Sequence, residues 1–99
     1  MNMQKMMQEA QRLQKELQKT QKELSETLYD GKSSLVEVVI DGNKKVKSVK
    51  INSDEDLTND DISILEDMIM VAFNEAVEKS NSDKEKKLGK YGQGLSGLM

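Results

Sequence analysis

Leu35-Val36-Glu37-Val38-Val39-Ile40-Asp41-Gly42-Asn43-Lys44-Lys45-Val46-Lys47-Ser48-Val49-Lys50-Ile51 is the stretch on which the fold turns. Residues 35–40 and 46–51 are rich in β-branched side chains. Between them Asp41-Gly42-Asn43 tolerates the left-handed backbone of a tight reversal, so the stretch predicts an antiparallel β-hairpin. Pairing that keeps Val36, Val38 and Ile40 on the same face as Val49 and Ile51 gives the hairpin one apolar side. Lys44, Lys45, Lys47 and Lys50 gather around the turn and second strand, where some are expected to reach solvent.

On the N-terminal side, Tyr29 to Ser34 holds Asp30, Gly31 and two serines, a turn-forming composition that should redirect the chain. Before it, Met3, Met6, Met7, Ala10, Leu13, Leu17, Leu24 and Leu28 recur at spacings of three, four and seven among Gln, Lys and Glu. This predicts an amphipathic helix over 3–28. Its heptad a positions are Met3, Ala10, Leu17 and Leu24. The d positions, Met6, Leu13, Thr20 and Thr27, weaken toward the end. A stripe this narrow on a helix about 40 Å long needs a partner surface, and a second copy of the chain is the simplest one.

On the C-terminal side, Asn52 to Asp61 is an acidic loop. Thr58 with Asp61 approximates a capping box, and Asp60 and Asp61 complement the dipole of the helix that follows, expected over 59–80. Eleven of the sixteen residues from Ile62 to Val77 are apolar, more than one buried stripe accommodates. Such a helix is expected to meet its own sheet on one side and another subunit on a second. A single domain over 1–88 is therefore predicted. A glycine-rich tail over 89–99 follows it, expected to be flexible because four of the six glycines lie there.

Composition narrows the functions. With 99 residues, 35% hydrophobic and one Phe, two Tyr and no Trp, one chain can bury only a modest core of aliphatic side chains and Met. There is no cysteine, hence no disulfide, thiolate zinc site or thiol nucleophile, and no histidine to act as a general base near neutral pH. No glycine-rich loop follows a strand in the manner of a phosphate cradle, so neither enzyme nor cofactor is expected. The sequence has no run long and apolar enough for a membrane span and no signal-peptide segment, which makes the cytoplasm the expected compartment.

Two tempting motifs have plainer readings. Asp54, Glu55, Asp56, Thr58, Asp60 and Asp61 suggest a calcium loop, but Asn59 stands where such a loop needs glycine and Leu65 where it needs its closing glutamate. The acids are read as a solvated cap and loop. Met at helical spacing is read as core before it is read as an adaptable partner groove.

The formal charge of −3 hides an uneven distribution. Residues 1–28 carry five basic against four acidic side chains, 29–51 five against three, 52–80 one against nine, and 81–99 four against two. Outside the acidic segment the chain is net positive, which permits binding to a phosphate backbone if folding keeps the segments apart. Lys5, Arg12, Lys15, Lys19 and Lys22 alternate with Glu9, Glu16, Glu23 and Glu26. The residues alone favour a solvated coiled-coil face over a DNA contact.

The order of elements, and above all Leu65-Glu66-Asp67-Met68-Ile69 followed by Val71-Ala72-Phe73-Asn74-Glu75-Ala76, resembles the YbaB/EbfC family. The likeness extends over most of the chain. It takes in the Met- and Gln-rich first helix, the glycine-containing turn, the strand closed by Asp41-Gly42, the strand over 47–51 and the glycine-rich tail. The resemblance implies an α+β homodimer with a hairpin or a three-stranded meander, the extra strand near Thr27–Ser33, and long helices projecting as arms. It also implies non-catalytic binding of double-stranded DNA on the nucleoid, without small-molecule substrate or membrane.

The candidate phosphate contacts are Lys5, Arg12, Lys15, Lys19 and Lys22 on the arm, with Lys84, Lys86 and Lys87 near the last helix's end. Salt-sensitive binding of low sequence specificity is expected, because no helix carries a cluster suited to reading bases. The expected dimer contacts are Leu13, Leu17, Leu65, Met68, Ile69, Ala72 and Phe73. The alternative is a dimeric adaptor or chaperone-like clamp that holds a protein helix between Met-lined arms.

Overall fold

The structure is a computed structural model that describes residues 2–91. In chain order it comprises α1 (Met3–Glu26), β1 (Leu28–Ser33), β2 (Val36–Asp41), β3 (Val46–Ile51) and α2 (Ile62–Leu88), with 3-10 turns at Asn59–Asp61 and Gly89–Tyr91. The fold is α+β, as expected, and its sheet is the three-stranded meander β1-β2-β3, antiparallel throughout.

The hairpin forms where the sequence placed it. Val36 lies opposite Ile51 and Val38 opposite Val49, so their side chains share one face. A register shift then sets Ile40 against Val46 and leaves Lys47 as the extra residue of a β-bulge. The bulge turns Val46 onto the same face as Val49 and Ile51.

Residues 29–34, whose composition predicts a turn, are mostly strand. Tyr29, Gly31 and Ser33 pair with Ile40, Val38 and Val36, and the reversal is confined to Ser34 and Leu35. Pairing with a β-branched neighbour overrides the local turn preference of Asp30-Gly31. Ser34 takes a φ of 49°, the positive value that a two-residue hairpin with a type II′ turn usually assigns to glycine. Gly31 instead serves packing: a Cβ there would lie 1.8 Å from the Ala72 carbonyl oxygen, so its absence lets α2 settle on β1.

Helix α2 lies across β1 and β2. Tyr29, Val36, Val38, Ile40, Ala72 and Ala76 form the core, with Leu65, Met68, Ile69, Phe73 and Val77 packed around it. The helix runs eight residues beyond the expected end at Ser80 because its inner face continues in polar form. Ser80 is buried, and the Asp83 carboxylate accepts a 2.6 Å hydrogen bond from the Tyr29 hydroxyl. Gly89–Tyr91 of the expected tail form a short 3-10 turn, and the remainder of that tail lies outside the described residues.

Helix α1 ends two residues before Leu28, where Thr27 returns its N–H to Glu23 and Leu24. Leu24 is buried in the body, and the Thr20 hydroxyl lies 3.2 Å from that of Tyr91. From this base α1 departs along the C-terminal end of α2, and every described residue from Asn2 to Glu16 is exposed. The result is a molecule of 71 × 20 × 14 Å with an arm of about 20 Å clear of the core.

Candidate nucleic-acid interface

The arm is a helix because Gln, Lys, Glu, Leu and Met favour that state, and because the Asn2 side chain caps its start by accepting from the amides of Gln4 at 3.0 Å and Lys5 at 3.4 Å. At about 100° per residue, Met3, Met6, Met7, Ala10, Leu13 and Leu17 fall on one side. Lys5, Arg12, Lys15, Lys19 and Lys22 fall within an arc of about 100° centred on the opposite side. Glu9, Glu16 and Glu23 border that arc along one edge, and Gln4, Gln11 and Gln18 along the other.

The i,i+4 pairing suggested by this alternation is almost absent. Among the described residues Arg12 alone of the five is in an ion pair, a 4.0 Å contact with Glu16. Lys5, Lys15, Lys19 and Lys22 project into solvent as unpaired cations, which need shed only water to meet a phosphate.

The second group of candidates is not one patch. Lys87 is held 3.2 Å from Asp83, Lys84 lines a cleft at the base of the arm, and Lys86 lies on another face of α2. The cleft, of about 190 Å³, is bounded by Gln21, Leu24 and Ser25 of α1, Gly42 and Asn43 of the hairpin turn, and Ser80, Lys84 and Leu88 of α2. Tyr29 also lines it, and its hydroxyl donates to the Asp83 carboxylate. Burial first, and then the Asp83 carboxylate, push the Tyr29 hydroxyl up to about 12. The Tyr29 hydrogen bond, helped by Lys87, holds Asp83 below the usual carboxylate range.

Sequence reasoning did not place the hairpin turn beside the arm. Gly42 brings it there: a Cβ at that residue would lie 1.8 Å from the Leu24 carbonyl oxygen, so the turn rests on the last turn of α1. Lys44 and Lys45 are thereby exposed at the arm's base. The acidic loop before α2 is at the other end of that helix, about 40 Å away. Folding thus sets the acidic loop well apart from the arm.

Of the expected dimer contacts, Leu13 is exposed and Leu17 half-buried on the arm. Leu65, Met68, Ile69 and Phe73 pack on the chain's own core. Ala72 is a correction, because it is wholly enclosed by its own chain and has no surface to offer a partner. Among the described residues, the uncovered apolar side chains of the body include Ile62, Ile64, Met70 and Val71 on α2, Val46, Val49 and Ile51 on β3, Leu28 on β1 and Leu57 in the acidic loop. Among the described residues no group of three or more acids could hold a metal ion, and no helix is long and apolar enough to cross a membrane.

Fold and surface together define a class: a small α+β body, built on a three-stranded meander and a long helix, that holds a lysine-lined helical arm out into solvent. The chain belongs to the YbaB/EbfC DNA-binding family, whose profile matches residues 1–95. It is 42% identical over 97 residues to a nucleoid-associated protein of Lactococcus lactis subsp. cremoris (strain MG1363), covering 96% of this chain and 97% of that one. A nucleoid-associated protein of Staphylococcus aureus (strain JH9) is 45% identical over 97 residues, covering 96% and 91% of the two chains. One from Ligilactobacillus salivarius (strain UCC118) is 35% identical over 100 residues, covering 99% and 95%.

Proposed function

We propose that this protein is a cytoplasmic nucleoid-associated protein that binds double-stranded DNA as a homodimer, without catalysis and with low sequence specificity. The observation that carries the reading is the row of unpaired α1 lysines, exposed to solvent and displayed opposite the apolar stripe. Family membership and the names of the relatives support it. A row of lysines neutralises phosphates without distinguishing bases, so affinity falls with salt and tolerates sequence change.

The dimer rests on β3. Its apolar side chains Val46, Val49 and Ile51 remain 43% to 47% exposed, although their partners on β2 are buried, because α2 stops short of them. A second copy laid over this face would bury it, with Met70 and Ile62 at the margin.

One observation favours the adaptor reading: the arm's apolar stripe is uncovered, with Met3 76% and Leu13 51% exposed. Charge reversal decides between the two. Lys15→Glu, Lys19→Glu and Lys22→Glu together, in a protein whose mass is unchanged by light scattering, should weaken duplex binding at least tenfold in fluorescence anisotropy. Intact affinity would remove the arm from the DNA interface.

A further inference from the structure

We infer that the turn between β2 and β3 is a second phosphate-contacting element, with Lys44 and Lys45 as its contacts, an inference that rests on the DNA-binding reading above. The first observation is conformational. Lys44 has a φ of 66°, in the left-handed region where a side chain with a Cβ is disfavoured and glycine or asparagine is the usual occupant. Asn43, the natural occupant of such a position, is one residue away. A lysine in this strained place marks its side chain as the useful part.

The second observation is rigidity. The Asp41 carboxylate accepts from the amides of Asn43 at 2.9 Å and Lys45 at 3.0 Å. The Lys44 amide donates to the Asp41 carbonyl at 2.9 Å, and the Asp41 amide to the Lys45 carbonyl at 3.0 Å. Gly42 seats the whole turn on the end of α1. Two long, flexible side chains are therefore mounted on a fixed backbone, at the end of the body from which the arm departs.

The third observation concerns charge. Asp41 is nearly enclosed, and the amide bonds from Lys45 and Asn43 hold its carboxyl below the usual range, so it stays ionised beneath the turn. Lys47, 3.8 Å from Asp41, answers that charge. Lys44 and Lys45 are left without an ion pair among the described residues, both exposed, with Lys84 across the neighbouring cleft. A phosphate that reaches the body at the base of the arm, on the side of α1 that carries Gln21, Leu24 and Ser25, meets these cations.

A purely structural role is available and makes the opposite prediction. The last turn of α1 has no basic residue, and lysines near its carbonyls would offset the negative end of the helix dipole. In that role, removing Lys44 lowers stability. In the role inferred here, Lys44→Gly relieves strain and raises Tm while weakening DNA binding, a trade of stability for function.

The test is anisotropy with a labelled duplex over a salt series, using the full chain, Lys44→Gly, and Lys44→Asn combined with Lys45→Gln. The double variant should bind about tenfold or more weakly near ~100 mM salt, with a salt slope shallower by about 0.9 for each phosphate that is no longer neutralised. A folded double variant with unchanged affinity and slope would overturn the inference and leave the arm untouched. A wild-type chain that fails to bind duplex even at ~50 mM salt would overturn both. Lys44→Gly that melts lower and binds as well as wild type would return the turn to the structural role.

Discussion

Gly31 and Ser34 invert what their types suggest. The glycine, read as a turn former, is the middle of a strand, where its lack of a Cβ admits Ala72, whereas the left-handed residue of the turn is a serine. Composition cannot reveal this, because glycine serves both purposes and only the approach of α2 tells them apart. Gly31→Ala should therefore cost about 3 kcal/mol in a urea titration, since the clash is with backbone that cannot rotate away. Tyr29 supplies a pH signature. Its hydroxyl, raised to about 12 by burial and Asp83, stays protonated where an unfolded tyrosine, near 10, ionises. Its contribution is complete below about 10 and is lost as pH rises toward 12, because there the unfolded chain holds fewer protons than the folded one. Tyr29→Phe should flatten that part of a stability-versus-pH curve. A decline of unchanged steepness would assign it to another group.

At the scale of elements, apolar spacing carried most of the information. The hairpin's second strand lies at 46–51 as predicted, and the first is displaced by one residue, to Val36–Asp41. The arm was legible from its heptads, although the stripe's last a position, Leu24, is spent inside the body. The C-terminal extension of α2 was not legible, because Ser80 and Asp83 replace apolar residues on its inner face and a hydrophobic period cannot register a hydrogen bond to Tyr29. The strand β1 was seen only through family resemblance, its own residues reading as a turn. The start of α2 did declare itself: Asp61 accepts from the Thr58 amide at 2.8 Å and from its hydroxyl at 3.1 Å. Asp61→Ala should lower stability by about 1 kcal/mol, measured by chemical denaturation, through loss of that cap. No change would mean that tertiary packing alone holds the first turn.

For the whole molecule, the length of α2 governs how charge is arranged. It sets the acidic loop about 40 Å from the base of the arm, so that a chain of net charge −3 still has a cationic end. The counts along the sequence made this arrangement possible but could not establish it, because distance along the chain is not distance in space. Nor could they show which lysines were free. Alternating Lys and Glu on α1 predicts pairing, and the side chains mostly do not pair. Two copies joined through β3 would present two arms, multiplying the phosphates met at once. The most direct test of this account is the affinity for a duplex of arbitrary sequence, by fluorescence anisotropy at ~50 and ~200 mM salt, with mass measured alongside by light scattering. Dimeric binding through phosphate contacts predicts a species of twice the 11.2 kDa chain whose affinity falls by about three orders of magnitude between those conditions, as expected for six or more neutralised phosphates. Affinity indifferent to salt, or none at the lower concentration, would contradict it.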